Sequence, residues 1–283
     1  MQSNVFRKIA DFLLFSSLFI AGCAVLMIWQ TTELLFHAVP TGRLVGFVFF
    51  STVCSYNFHW WLTPSSVNPS SRIQWTQRNK GLHFCLYLAG LVGAAVYFIS
   101  LYEHWAALCF GAFVTFLYSA PKLPQPVFRG LRRIAIGKTI FLATVWTYVT
   151  TILPVFVSEA TWNGSLVLFA ASRFFLIYAI CILFDYRDRE DDRKDGIRSL
   201  ITYLDEKGID KLFIFSLALF TASCLGLYGY HYNTYTIILL LIPGIILSAL
   251  YSYAKKHFSD YLYYFVLDGL MMFSGLLMLI ADI

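Results

Sequence analysis

The residues in this chain best suited to chemistry are Asp185, Asp188 and Asp192, in a stretch that runs from Asp185 to Gly196 and alternates acidic with basic side chains. Their spacing is i, i+3, i+7, so on a continuous helix they fall within roughly 60° of one another on one face. Carboxylates stacked in this way repel one another and suit a hard cation. Mg²⁺ in particular keeps several waters and bridges carboxylates to substrate phosphates. The implied chemistry is metal-assisted binding of a diphosphate. The same run also fits a solvated helix face laced with short-range ion pairs, and Gly196 marks a turn or helix end.

The elements that must position these aspartates are membrane-spanning helices. Of 283 residues, 59% are hydrophobic and 13% charged, with a mean hydropathy of +0.67, whereas a soluble domain carries roughly a quarter charged residues. That composition excludes an ordinary water-soluble fold. A span needs roughly 20 mostly apolar residues, because no water in the bilayer core can satisfy the backbone. Runs of this kind predict an all-α polytopic protein, a bundle of about nine transmembrane helices near 11–29, 42–62, 82–101, 105–119, 134–157, 163–184, 211–230, 234–253 and 260–281. The first run superficially resembles a signal peptide, but no small-residue cleavage site leads into a polar domain, so it reads as the first span. No repeat is evident, and residues 1–283 read as a single domain. The acidic segment begins where the sixth apolar run ends.

Basic residues fix the expected orientation. Alternate loops from the N-terminus onward collect 18 of the 21 Lys and Arg residues, from Arg7 and Lys8 to Lys255 and Lys256. Retained loops carry this excess, so the N-terminus is expected in the cytoplasm and the C-terminus on the opposite side. The long connections at 63–81 and 185–210 fall on the cytoplasmic side. Topology rather than nucleic-acid binding accounts for the net charge of +5. The six cysteines lie in apolar runs without metal-ligand spacing and read as small buried hydrophobes.

With nine spans and a D-x-x-D-x-x-x-D motif after the sixth, the chain resembles the UbiA superfamily of intramembrane prenyltransferases. A Y-x-x-x-K motif, Tyr118 to Lys122, follows the fourth span as it does in that family. The family's first Asp-rich motif, N-D-x-x-D-x-x-x-D at the end of the second span, is matched only in part. Asn57 takes the leading Asn, Asn68 the later Asn and Arg72 the Arg, while Phe58, Trp61 and Ser65 stand at the aspartate positions.

The resemblance implies an isoprenoid diphosphate held at the cytoplasmic mouth, its chain running into the bundle and the bilayer around it. Mg²⁺ would sit on Asp185, Asp188 and Asp192, which would also be the catalytic residues. Asn57, Asn68, Arg72, Tyr118, Lys122 and Lys138 would contact the substrate. Lys138, Arg173 and Asp268 lie within spans, where a charge faces a cavity or a partner, although Lys138 can also snorkel to the interface. His59, Trp60 and Trp61 line the wall of an apolar cavity, stack on a cation, or anchor the helix end at the membrane surface. Prenyl transfer to an unknown acceptor is the leading expectation. Terpene cyclisation, a non-catalytic lipid- or isoprenoid-binding member of the scaffold, and a transporter are the rivals.

Overall fold

The computed structural model describes residues 2–64, 70–120, 138–194 and 199–281, with side chains from residue 5 and, in the third segment, from residue 139. Ser65, Asn68 and Lys122 lie outside the described residues, as does the side chain of Lys138.

The described chain is helical. An N-terminal helix α1 (Gln2–Phe15) is followed by α2 (Leu18–Phe36), α3 (Gly42–Leu62), the short α4 (Ser71–Arg78), α5 (Lys80–Ser100) and α6 (Trp105–Ser119). Helix α7 runs as Lys138–Thr147, a π turn over Tyr148–Ile152 and a last turn Leu153–Val157. Then come α8 (Gly164–Lys194), the single turn α9 (Leu200–Tyr203), α10 (Glu206–Gly226) and α11 (Thr234–Ala254). The last helix, α12, opens with a π turn over Leu262–Leu267 and continues as Asp268–Ile280. Seven of these helices are long and apolar enough to cross a membrane. With α3 and α6 packed among them, the described bundle has nine long helices, in line with the expected architecture.

Helix α8 is the axis of the bundle. Ile177 to Leu183 are buried without interruption, because a helix that is apolar on every side must be surrounded. Helix α5, by contrast, turns Leu88, Leu91, Val92, Val96 and Ile99 outward, as a lipid-facing helix does. It packs closely on α3 because Gly90 has no side chain, and a Cβ there would lie 2.6 Å from the Cys54 backbone nitrogen.

Two expectations are corrected. The first apolar run, read as a span over 11–29, is two helices. The chain breaks at Ser17, whose φ is 67°, and the spanning helix is Leu18–Phe36. The amphipathic α1 stands apart, with Phe6, Ile9 and Phe12 exposed beside Arg7 and Lys8. Hydropathy alone cannot see this break, since both sides of it are apolar. The connections read as long loops are also largely helical: α4 occupies the first, and the second begins as ten further residues of α8 beyond Phe184. At 1.5 Å per residue a 31-residue helix exceeds the roughly 30 Å hydrocarbon core by several turns.

Candidate functional site

The break at Ser17 exposes carbonyls that an unbroken helix would have satisfied. Arg72 Nη1 donates to the Leu14 carbonyl at 3.3 Å, and Asn57 Nδ2 donates to that of Ser16 at 3.0 Å. Two residues of the degenerate first motif therefore cap the hinge between α1 and α2. Asn57 is fully buried, and its second amide proton goes to the Val53 carbonyl at 2.8 Å.

Arg72 enters the bundle from α4, anchored by its own backbone N–H on Asp260 Oδ2 at 2.8 Å. Its guanidinium carbon lies 4.1 Å from the ring centroid of Trp60, 4.2 Å from that of Tyr264 and 5.6 Å from that of Phe15. Burial lowers the Arg72 pKa, while Tyr264, Asp268 and Asp260 act to raise it. A guanidinium keeps its proton in such surroundings. Its Nε is buried without a hydrogen-bond partner among the described residues. Of the three readings of Trp60, the structure shows the cation stack.

Phe58 and Trp61, at the positions of two family aspartates, turn onto α5. Phe58 packs on Tyr87 at 5.2 Å between centroids and Trp61 on Phe84 at 5.4 Å. His59 stacks on Tyr118 at 5.4 Å, and its Nδ1 lies 3.4 Å from Ser119 Oγ. The described part of the Y-x-x-x-K motif thus packs against α3.

The acidic segment is a continuous extension of α8, since Arg, Glu, Lys and Asp carry no breaker between Asp185 and Lys194. Asp185 and Asp192 are buried, while the Asp188 side chain is 42% exposed. Asp185 Oδ2 accepts a hydrogen bond from Thr139 Oγ1 of α7. Asp188 accepts from Arg187 Nε at 2.8 Å and Nη2 at 3.4 Å. Farther along, Arg193 pairs with Glu190 and Lys194 with Asp191, both exposed. Among the described residues, no three His, Cys, Asp or Glu side chains gather closely enough to hold an ion by themselves. Mg²⁺ more often takes one or two carboxylates and completes its shell with water and substrate phosphate. The fit to Mg²⁺ is therefore one-sided: α8 offers hard oxygen donors, and the described end of α3 offers aromatic rings.

Arg187 and Tyr264 are the residues that sequence reasoning missed. Arg187 Nη2 donates to Tyr264 Oη at 3.0 Å, and its guanidinium carbon lies 4.6 Å from the Tyr263 centroid and 5.1 Å from that of Tyr264. The π turn at the start of α12 brings these two consecutive tyrosines to one cation, which regular helical geometry at 100° per residue opposes. Arg187 lay hidden inside a run read for its aspartates. Asp268, one turn beyond, lies within electrostatic range of both Arg72 and Arg187.

The intramembrane Arg173 belongs elsewhere. Its guanidinium donates to Gln30 Oε1 at 2.7 Å, the Met27 carbonyl at 2.9 Å and the Thr150 carbonyl at 3.4 Å. The π turn in α7 presents that Thr150 carbonyl, which also accepts from Thr31 Oγ1 at 2.7 Å. Arg173 and Asp268 are not paired with each other among the described residues.

Comparison with known proteins agrees with this architecture. The model of the UbiA prenyltransferase family matches residues 63–261, starting directly after the α3 segment where the first motif departs. Two solved structures align over 96% of this chain and 98% of their own, each at 14% identity. They are the apo structure of a UbiA homolog from Aeropyrum pernix K1, with a TM-score of 0.59, and a structure described in work on digeranylgeranylglyceryl phosphate synthase in membranes, with a TM-score of 0.57. No curated protein matches the sequence. A family match over more than half of the chain, on an α-helical membrane bundle of the same fold, establishes that this protein belongs to the UbiA prenyltransferase family.

Proposed function

We propose that this chain binds an isoprenoid diphosphate where α3, α4, α8 and α12 meet, and transfers the prenyl group to an acceptor. The observation that carries the reading is the buried Arg72 guanidinium, its Nε without a partner among the described residues, on the aromatic floor of Trp60 and Tyr264 near the acidic end of α8. A planar donor set of this kind suits phosphate oxygens. In transfer, the allylic C–O bond breaks, diphosphate leaves with the electron pair, and the acceptor's nucleophilic atom bonds the prenyl carbon and loses its proton. Mg²⁺, which UbiA prenyltransferases generally use, would be held through Asp185, Asp188 and Asp192 and would neutralise charge developing on the leaving group. Asn68, Tyr118, Lys122 and Lys138 are retained as proposed substrate contacts on motif position, with the mouth on the cytoplasmic side and the C-terminus opposite.

A second reading has its own support. Phe58 and Trp61 pack on α5 where the family carries aspartates, which favours an isoprenoid-binding member without transferase activity. Purified protein incubated with labelled geranyl, farnesyl and geranylgeranyl diphosphates and Mg²⁺ separates the two. Diphosphate release supports the enzyme, and binding without release under any acceptor condition supports the non-catalytic form.

A further inference from the structure

Tyr264 joins two arginines from different elements. Arg72 of α4 lies over its ring at 4.2 Å, and Arg187 of α8 donates to its hydroxyl at 3.0 Å. Aromatic faces line both cations: Trp60 under Arg72, and Phe184 and Tyr263 under Arg187, at 5.2 and 4.6 Å. Among the described residues, each guanidinium has one buried nitrogen without a hydrogen-bond partner, Nε on Arg72 and Nη1 on Arg187. The remaining Arg187 donors are committed, Nε and Nη2 to Asp188 and Nη2 also to Tyr264.

A brace that served only to tie α4, α8 and α12 together would have no use for these two orphaned donors. Leaving a buried donor unsatisfied is destabilising, the more so when the group is charged. Asp188 and Asp268 already lie near the two cations, so what remains unmet is hydrogen bonding rather than charge. Phosphate oxygens meet that need, because the guanidinium fork matches them in geometry.

We propose that Arg187, acting with Arg72 across Tyr264, grips the phosphate oxygens of the ligand directly, beside the carboxylates of α8. The proposal rests on the diphosphate reading above and adds to it a metal-independent half of the site. Mg²⁺ on α8 then neutralises only part of the diphosphate, and the two guanidinium groups neutralise the rest. Arg187 thereby acts as a binding residue through Nη1 while it stays ion-paired with Asp188.

The test is binding of farnesyl thiolodiphosphate, which resists ionisation, to the full chain in phosphatidylcholine nanodiscs, with EDTA and separately with Mg²⁺. The wild type is expected to bind in EDTA, with competition by inorganic diphosphate. Arg187→Gln should weaken binding roughly tenfold or more in both conditions, consistent with loss of a charge-assisted hydrogen bond. Arg187→Lys should recover part of the loss by restoring the charge. Tyr264→Phe, which keeps the ring and removes the hydroxyl that orients Arg187, should lie in between. Melting and elution profiles identify folded variants, and if Arg187→Gln does not fold, the lysine and phenylalanine variants decide.

Binding by the folded arginine variants within twofold of wild type overturns the proposal while leaving the diphosphate reading intact, as does wild-type binding that vanishes in EDTA. Absence of binding with and without Mg²⁺ removes both. Displacement of the probe by phosphatidic acid in the nanodisc, with no competition from inorganic diphosphate, overturns the proposal in favour of a lipid-headgroup site.

Discussion

Asn57 Oδ1 lies 2.7 Å from His83 Nδ1 in a fully buried contact between α3 and α5. Both amide protons of Asn57 are given to carbonyls, so its oxygen is the acceptor and His83 Nδ1 carries the proton. Through this one side chain, α3 holds the α1–α2 hinge on one side and α5 on the other. Replacing Asn57 with Ala leaves the Ser16 carbonyl and the imidazole N–H unsatisfied. The expected cost is about 2 kcal/mol or more, read as a lower melting temperature in detergent, and Asn57→Asp should not restore it.

Trp60 supports Arg72 by a cation–π contact in a largely desolvated setting, where such contacts contribute on the order of 1–2 kcal/mol. Trp60→Leu should therefore reduce both thermal stability and diphosphate affinity, whereas Trp60→Phe should preserve most of each. Equal effects of the two substitutions would show that bulk, not the aromatic face, is what Arg72 requires.

The Arg173 cluster predicts a stability defect separate from the site. Arg173→Met keeps the volume but removes the charge-assisted hydrogen bonds to the Met27 and Thr150 carbonyls and to Gln30 Oε1, which retain Thr31 and Ser274 as donors, and a loss of about 2 kcal/mol is expected. Gln30→Leu should cost less. Because the two residues share a hydrogen bond, the double variant should lose less than the sum, which a double-mutant cycle on melting measures.

Asp188 tests the metal side. Asp188→Asn removes the negative charge while keeping an oxygen for Arg187. Titration of prenyl thiolodiphosphate binding with Mg²⁺ should then lose the metal-dependent gain in affinity. A gain equal to that of wild type would move the metal to other carboxylates.

Lys255 closes a network at the end of α11, with Nζ 2.8 Å from both Glu206 Oε2 and Asp210 Oδ1. Burial works against its charge, but the hydrogen bonds that it donates to Asp210 and Glu206 outweigh burial and raise its pKa. A raised pKa in the folded state means a contribution that is complete below the unfolded value near 10.4 and is lost as pH rises through the folded value. Lys255→Met should lower the melting temperature by a constant amount from pH 7 to about 10, and wild type and variant should converge at more alkaline pH.

Hydropathy and charge were enough to establish the bundle and its acidic segment, because a bilayer penalises every unsatisfied backbone group and so imposes long apolar helices that sequence displays directly. The spacing of Asp185, Asp188 and Asp192 likewise presupposed a helix that continues past the membrane, as α8 does. The hinge at Ser17 was hidden, since a break between two apolar runs leaves no hydropathy signal and is maintained by Asn57 and Arg72, 41 and 58 residues away from the carbonyls they cap. Arg187 and Tyr264 are 77 positions apart and meet where the π turn that opens α12 packs against α8. Sequence by itself determined which segments cross the membrane and which family they form. Tertiary packing alone decided which face of α3 looks inward, so that Trp60 supports a cation while Phe58 and Trp61 turn away. Side-chain direction at a helix end depends on neighbours distant in the chain, and no local pattern encodes it.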